Sequence, residues 1–162
     1  MYAKILPPCS LTSFNFSRLF YLDHIQSTLG DVRRDVWEYH KLLENIESGD
    51  VIVFGLYSKE NNSFLGSIYG TLDDGVFTAH LLLKRKVDVV KAANECTLLM
   101  KKCCSEIGEK FTKVQGFIPD CNRAAKRLAV RAGYTDRGID ETQKFCNNGE
   151  QFAVRHFVKE II

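Results

Sequence analysis

The stretch from Phe111 to Tyr134 constrains this chain most. Phe111-Thr112-Lys113-Val114-Gln115-Gly116-Phe117-Ile118 is a β-branched and aromatic strand, and Pro119 stops its ladder. Asp120 then stands where a carboxylate can cap the next helix. Asn122, Ala125, Leu128, Ala129 and Ala132 fall on one small, mostly apolar stripe of that helix. Arg123, Lys126, Arg127 and Arg131 fall outside it and give a positive outer face, read here as a solvated one. Gly133 supplies a left-handed stop, and Tyr134 opens a new strand.

The rest of the chain sets this unit in a longer alternation. Tyr2 to Leu6 is a short strand ended by Pro7-Pro8. Ser13 is placed to cap a helix carrying Phe16, Leu19, Phe20 and Ile25, which stops at Gly30. Asp31 is placed to cap a second, with Val32, Val36, Tyr39, Leu43 and Ile46 at helical spacing and Gly49 as its stop. The period then changes to two. Val51 to Tyr57, Phe64 to Leu72 and Val76 to Leu83 read as strands, with turns at Asn61-Asn62 and Asp73-Asp74-Gly75. A helix from Asp88 to Ile107 buries Val89, Ala93, Cys96, Met100, Cys103 and Ile107 and ends at Gly108. Two last strands, Tyr134 to Phe145 and Gln151 to Lys159, are joined by Asn147-Asn148-Gly149. The reading is a single domain over residues 1–162, of α/β or α+β class, with a mixed sheet of six or seven strands flanked by four helices.

Composition excludes more than it selects. A formal charge of +2 over 162 residues gives no ground for a nucleic-acid or membrane partner, and no aromatic residues interleave with the basic ones. The opening lacks a signal-peptide pattern, and no stretch reaches membrane-spanning length. The six cysteines contain no C-x-x-C pair and no zinc-ligand spacing with the histidines, so reduced thiols, no metal and a cytoplasmic setting are expected.

Asn122-x-x-Ala125-x-x-Leu128 followed by Gly133-Tyr134 resembles the GCN5-related N-acetyltransferase segment written N-x-x-A-x-x-L-Y-x-x-x-G-F. The order of elements is similar to that superfamily as well. The resemblance implies an acetyl-coenzyme A site where the fourth strand parts from the fifth, beside Leu82. It implies a pyrophosphate loop of the form Q/R-x-x-G-x-G/A, which falls on Arg85-Lys86-Val87-Asp88-Val89-Val90, and a contribution from Asn122. Free amides at a helix start suit a diphosphate, and glycines let it approach. Here Arg85 fits, but Asp88 and Val90 occupy the two small positions. Asp88 is expected to cap the helix itself and to repel a diphosphate, which Lys84, Arg85 and Lys86 only partly offset.

The tyrosine that many members use to protonate the leaving thiolate is replaced by Ala129, while Tyr134 holds a packing position. The one ionisable side chain of the fourth strand is His80, the candidate base beside a packing role, since imidazole titrates near neutrality. Three classes of function follow. The first is a protein that has kept the fold, lost the cofactor and acts through contacts with another protein. The second is a working acetyl-coenzyme A-dependent N-acetyltransferase with an atypical loop. The third, least favoured, is a nucleic-acid-contacting module. From its Met1-Tyr2-Ala3-Lys4 opening onward, the chain is also similar to an acetyltransferase-like family of short-tailed bacteriophages associated with virion head assembly. That similarity implies virion structural proteins as partners, inside the host cytoplasm.

Overall fold

The computed structural model describes residues 1–26, 29–30 and 35–162. In chain order the elements are β1 (Tyr2–Ile5), α1 (Ser10–Phe20), α2 (Asp23–Gln26), α3 (Val36–Ser48), β2 (Ile52–Tyr57), β3 (Phe64–Asp73) and β4 (Val76–Leu83). Then come α4 (Val89–Ile107), β5 (Lys113–Pro119), α5 (Arg123–Arg131), β6 (Thr135–Asn147) and β7 (Glu150–Glu160). The strands form one mixed sheet in the order β1-β2-β3-β4-β5-β7-β6. Every neighbouring pair is antiparallel except β4 and β5. A parallel pair needs a crossover, and α4 is that crossover.

Strand alternation divides the core in two. On one face Val53, Tyr69 and Leu82 meet Phe16, Leu19 and Phe20 of α1 and Tyr39 and Ile46 of α3. On the other, Phe54, Leu56, Ile68, Phe77 and Val114 meet Ala92, Cys96, Met100 and Cys104 of α4. The buried positions of α4 thus recur every four residues. Cys96 and Met100 are buried as expected, whereas the expected Ala93 and Cys103 are half-buried beside Ala92 and Cys104, and Ile107 is 73% exposed beside the stop at Gly108.

Local chemistry accounts for the turns and several helix ends. Asp74 and Gly75 both have positive φ, as do Asn148 and Gly149, which is the backbone that two-residue hairpin turns demand. Gly49 and Gly108 end α3 and α4 in left-handed conformation. Two expected caps are corrected. Ser13 lies inside α1, which begins at Ser10 with no side-chain cap, and its hydroxyl meets Glu47 Oε1 of α3 at 2.6 Å. Ile25 belongs to the separate short helix α2. Asp31 and Val32, expected at a helix start, lie outside the described residues; α3 begins after Asp35, whose carboxylate accepts from the amides of Trp37 and Glu38.

The second corrected cap is Asp120. Asn122 caps α5 instead, its Oδ1 accepting from Ala125 N at 3.1 Å, because Asp120 is engaged elsewhere. Asp120 Oδ1 accepts from Lys126 Nζ and Arg155 Nε, both at 2.9 Å, and Arg155 also meets Asp136. Lys126 is therefore turned inward, away from the solvated basic face of Arg123, Arg127 and Arg131. These bonds tie β5, α5, β6 and β7 together at the sheet's C-terminal half.

Hydrogen bonds from Lys126 and then Arg155 hold the Asp120 carboxyl below its ordinary pKa. A depressed carboxyl stabilises the folded state above its unfolded value, about 3.9 for aspartate, and that contribution is lost as pH falls through the folded value. Urea titrations between neutral and acid pH should therefore show Asp120→Asn less stable at neutrality, with a smaller loss on acidification than the parent. Equal acid slopes in the two proteins would contradict this role.

Candidate active-site cleft

The parallel pair is short. β4 and β5 are in register only at Val76 with Lys113, Phe77 with Val114 and Thr78 with Gln115. Beyond Thr78 the strands part, while β4 stays paired with β3 as far as Leu83 and β5 stays paired with β7 as far as Pro119. One hydrogen-bonding edge of each strand consequently faces a gap instead of its neighbour. A backbone edge with no partner strand is a site for an extended ligand that carries amides.

Two residues report that the gap is open on the α4 face. Leu81, on a strand in the middle of the sheet, is 44% exposed. Gly116, directly after the last paired residue of β5, has open space where a side chain would begin: a Cβ built there meets nothing within 4 Å. Phe117 does not fill the cleft. Alternation sends its ring to the opposite face, where it stacks on His156 of β7 at 4.8 Å between ring centroids.

On the α1 face the vertex of the gap carries a polar chain. Gln115 Nε2 donates to Thr78 Oγ1 at 2.8 Å, joining the two parting strands, and Gln115 Oε1 lies 2.9 Å from His156 Nε2. With its amide nitrogen given to Thr78, Gln115 offers His156 an acceptor, so Nε2 carries the ring proton and Nδ1 is left as acceptor in the neutral ring. His80 is on the same face, its ring 5.2 Å from that of Tyr69. The tip of the β6–β7 hairpin closes this side. Phe145 and the Cys146 carbonyl come so near Gly30 that a Cβ there would sit 2.7 Å from Phe145 Cε2.

The remaining nominated residues are dispersed. Leu82 is buried beneath α1, so its side chain lies across the sheet from the open α4 side of the cleft. Arg85, Lys86 and Asp88 are exposed in the β4–α4 loop, where Lys86 has φ +66; Val87, Val89 and Val90 are half-buried. Asp88 caps α4 as expected, its Oδ1 accepting from Lys91 N at 3.1 Å. Asn122 spends its side-chain oxygen on the α5 cap. His24 reaches the base of this loop, with Nε2 2.9 Å from the Leu83 carbonyl.

Tyr134 holds the packing position read from the sequence. It packs under α4 among Cys96, Met100 and Val114 around an apolar void of about 40 Å³, and burial pushes its phenol up to about 12. All six cysteines are free thiols, and burial pushes Cys96 up to about 12. Among the described residues no group of three His, Cys, Asp or Glu side chains is arranged to hold a metal ion. No described helix is long and apolar enough to cross a membrane.

No sequence-family model matches the chain, nor does any curated protein sequence. Solved structures do match. An acetyltransferase of Salmonella typhimurium that modifies the N-terminal serine of ribosomal protein L7/L12 superposes with TM-score 0.74 at 9% identity, covering 100% of this chain and 96% of that one. Spermidine N-acetyltransferase from Vibrio cholerae, solved with coenzyme A and spermine, superposes with TM-score 0.71 at 11% identity, covering 98% and 94%. A GCN5-related N-acetyltransferase from Brucella melitensis gives 0.70 at 15%, covering 98% and 76%. The fold is that of the GCN5-related N-acetyltransferases.

Two glycine substitutions separate an open cleft from a closed one. Gly116→Leu should leave the thermal midpoint unchanged or raise it, since the added side chain enters open space and glycine is a poor strand residue. Gly70→Ala should cost about 2 kcal/mol or more in urea unfolding, because its Cβ collides with the Thr78 carbonyl oxygen. If Gly116→Leu is as damaging as Gly70→Ala, the cleft is filled.

Proposed function

We propose that this protein is an acyl-coenzyme A-dependent N-acyltransferase, with acetyl-coenzyme A as the donor and an amine as the acceptor. The observation that carries the proposal is the open gap between β4 and β5, marked by Leu81 and Gly116, in a chain that superposes almost end to end on N-acetyltransferases. Bound acetyl-coenzyme A would supply a thioester whose carbonyl carbon the amine attacks, breaking the C–S bond and leaving a thiolate that takes up a proton.

The chain's own part is to hold, orient and deprotonate. The edges along which β4 and β5 no longer pair with each other suit the amide-bearing arm of the coenzyme, and Gly116 leaves room beside it. Lys84, Arg85 and Lys86 favour its phosphates, together with the start of α4. Asp88 opposes them and has already taken the Lys91 amide. The base that receives the amine's proton is one of the two imidazoles on the α1 face. His80 is the residue the sequence nominates; His156 is the one whose tautomer is set by Gln115. The thiolate's proton comes from solvent or the acceptor, because Ala129 stands where a tyrosine would donate it.

A second reading keeps the fold and drops the chemistry: a protein acting through protein contacts, as in assembly of a phage virion head. The Asp88 cap and Ala129 together favour it.

Calorimetry with acetyl-coenzyme A at low salt, followed by assay of acetyl transfer to a panel of amines, separates the two. The enzyme reading expects micromolar binding and turnover. It also expects Asp88→Gly to tighten binding several-fold and Gly116→Leu to abolish it. Replacing the base with alanine should lower kcat by about a hundredfold or more and remove the acidic limb of the pH profile. No binding by the parent or by Asp88→Gly would reject the enzyme and leave the protein-contact reading.

A further inference from the structure

A second cavity lies on the α1 face near the β1 edge of the sheet. It is an open pocket of about 360 Å³, within the size range of small-molecule sites. Its walls are of two kinds. Leu19, Leu22, Tyr57 and Phe64 provide apolar and aromatic surface, and the cations Arg18 and Lys84 stand at the rim. Among the described lining residues none is acidic. None of the ion pairs among the described residues engages either cation.

The aromatic part is held in place before any ligand arrives. Tyr57 stacks on Tyr2 at 5.6 Å and packs on Phe64 at 5.5 Å. Lys84 Nζ lies 5.9 Å above the Phe64 ring, and Lys4 Nζ lies 5.5 Å above Tyr57. Two positive groups thus stand over two rings, and Arg18 lines the same cavity. Cations over aromatic faces, with no carboxylate among the described lining residues, make a surface that suits an anion.

We propose that this cavity binds a small organic anion, a carboxylate carried on an aromatic body. The ring enters between Leu19, Leu22 and Phe64, and the carboxylate meets Arg18 and Lys84, with Asn15 able to donate a further hydrogen bond. The same rim repels an amine, so the cavity is distinct from the place where an amine acceptor would be bound. It lies toward the β1 edge, against Leu6, Tyr57 of β2 and Phe64 of β3, whereas the gap lies between β4 and β5 in the middle of the sheet; Lys84, which follows β4, borders both. The proposal does not rest on acyl transfer and would survive its failure.

The test uses the full chain and three probes with one ring system: indoleacetate, neutral indole and cationic tryptamine. Methyl and aromatic NMR signals of Leu19, Leu22 and Phe64 are followed during each titration. Indoleacetate should shift these signals saturably, indole weakly and tryptamine least. Arg18→Gln and Lys84→Gln should each weaken indoleacetate about fivefold, the ceiling expected for one exposed charge pair, and added salt should do the same. Leu22→Trp should fill the space and abolish the shifts while far-ultraviolet circular dichroism stays that of the parent; should it misfold, the two glutamine variants decide alone. Tryptamine binding as well as indoleacetate, shifts confined to Leu81 and Gly116, or no response to any probe would each overturn the proposal.

Discussion

The structure depends on the brevity of one parallel strand pair. Three residues of β4 lie beside three of β5, and then the strands part while each keeps its antiparallel partner on the other side. An interior sheet edge without hydrogen-bond partners costs free energy unless water or a ligand satisfies it. The fold holds the gap open from both sides. Gln115 bridges to Thr78 at the vertex, α4 packs across the joined ends, and Asp120 with Lys126 and Arg155 fixes α5 against β5 and β7. The residues that would close the gap are small or turned away: Gly116 has no side chain, and Phe117 stacks on the opposite face.

The two ends of this cleft make different demands. Near the vertex it offers room, two strands that no longer pair with each other, and two imidazoles. At the loop, the carboxylate of Asp88 occupies an amide of α4 and sets a negative charge among Lys84, Arg85 and Lys86. Three cations outnumber one exposed anion at long range, so on the enzyme reading a diphosphate would be attracted overall and opposed locally. Weakened coenzyme binding is a smaller consequence than lost binding, and the open vertex is why the enzyme reading leads.

Much of the fold was legible because its signals are local. Asp74-Gly75 and Asn148-Gly149 took the hairpin geometry their residues favour, Gly49 and Gly108 ended their helices, and Asp88 capped α4. Where tertiary partners compete, local reading failed. Asp120 is a good cap by type, but Lys126 and Arg155 claim it, and the cap passes to Asn122. The α4 stripe was right at Cys96 and Met100 but took Ala93 for Ala92 and Cys103 for Cys104, because two like neighbours do not show which of them is buried. The site was half legible: His80 and the loop stand out by residue type, whereas the Thr78–Gln115–His156 chain joins three strands and has no sequence spacing. Gly116 alone left a signal, a glycine within a strand of β-branched and aromatic residues.

Amide hydrogen exchange measured with and without coenzyme A tests the open interior edge most directly. The account predicts added protection confined to residues 79–90, with a smaller effect at 115–118 and none in β1 or β2. Unchanged exchange across β4 and β5 at saturating coenzyme A, or amides there already as protected as those of β2 before it is added, would contradict it.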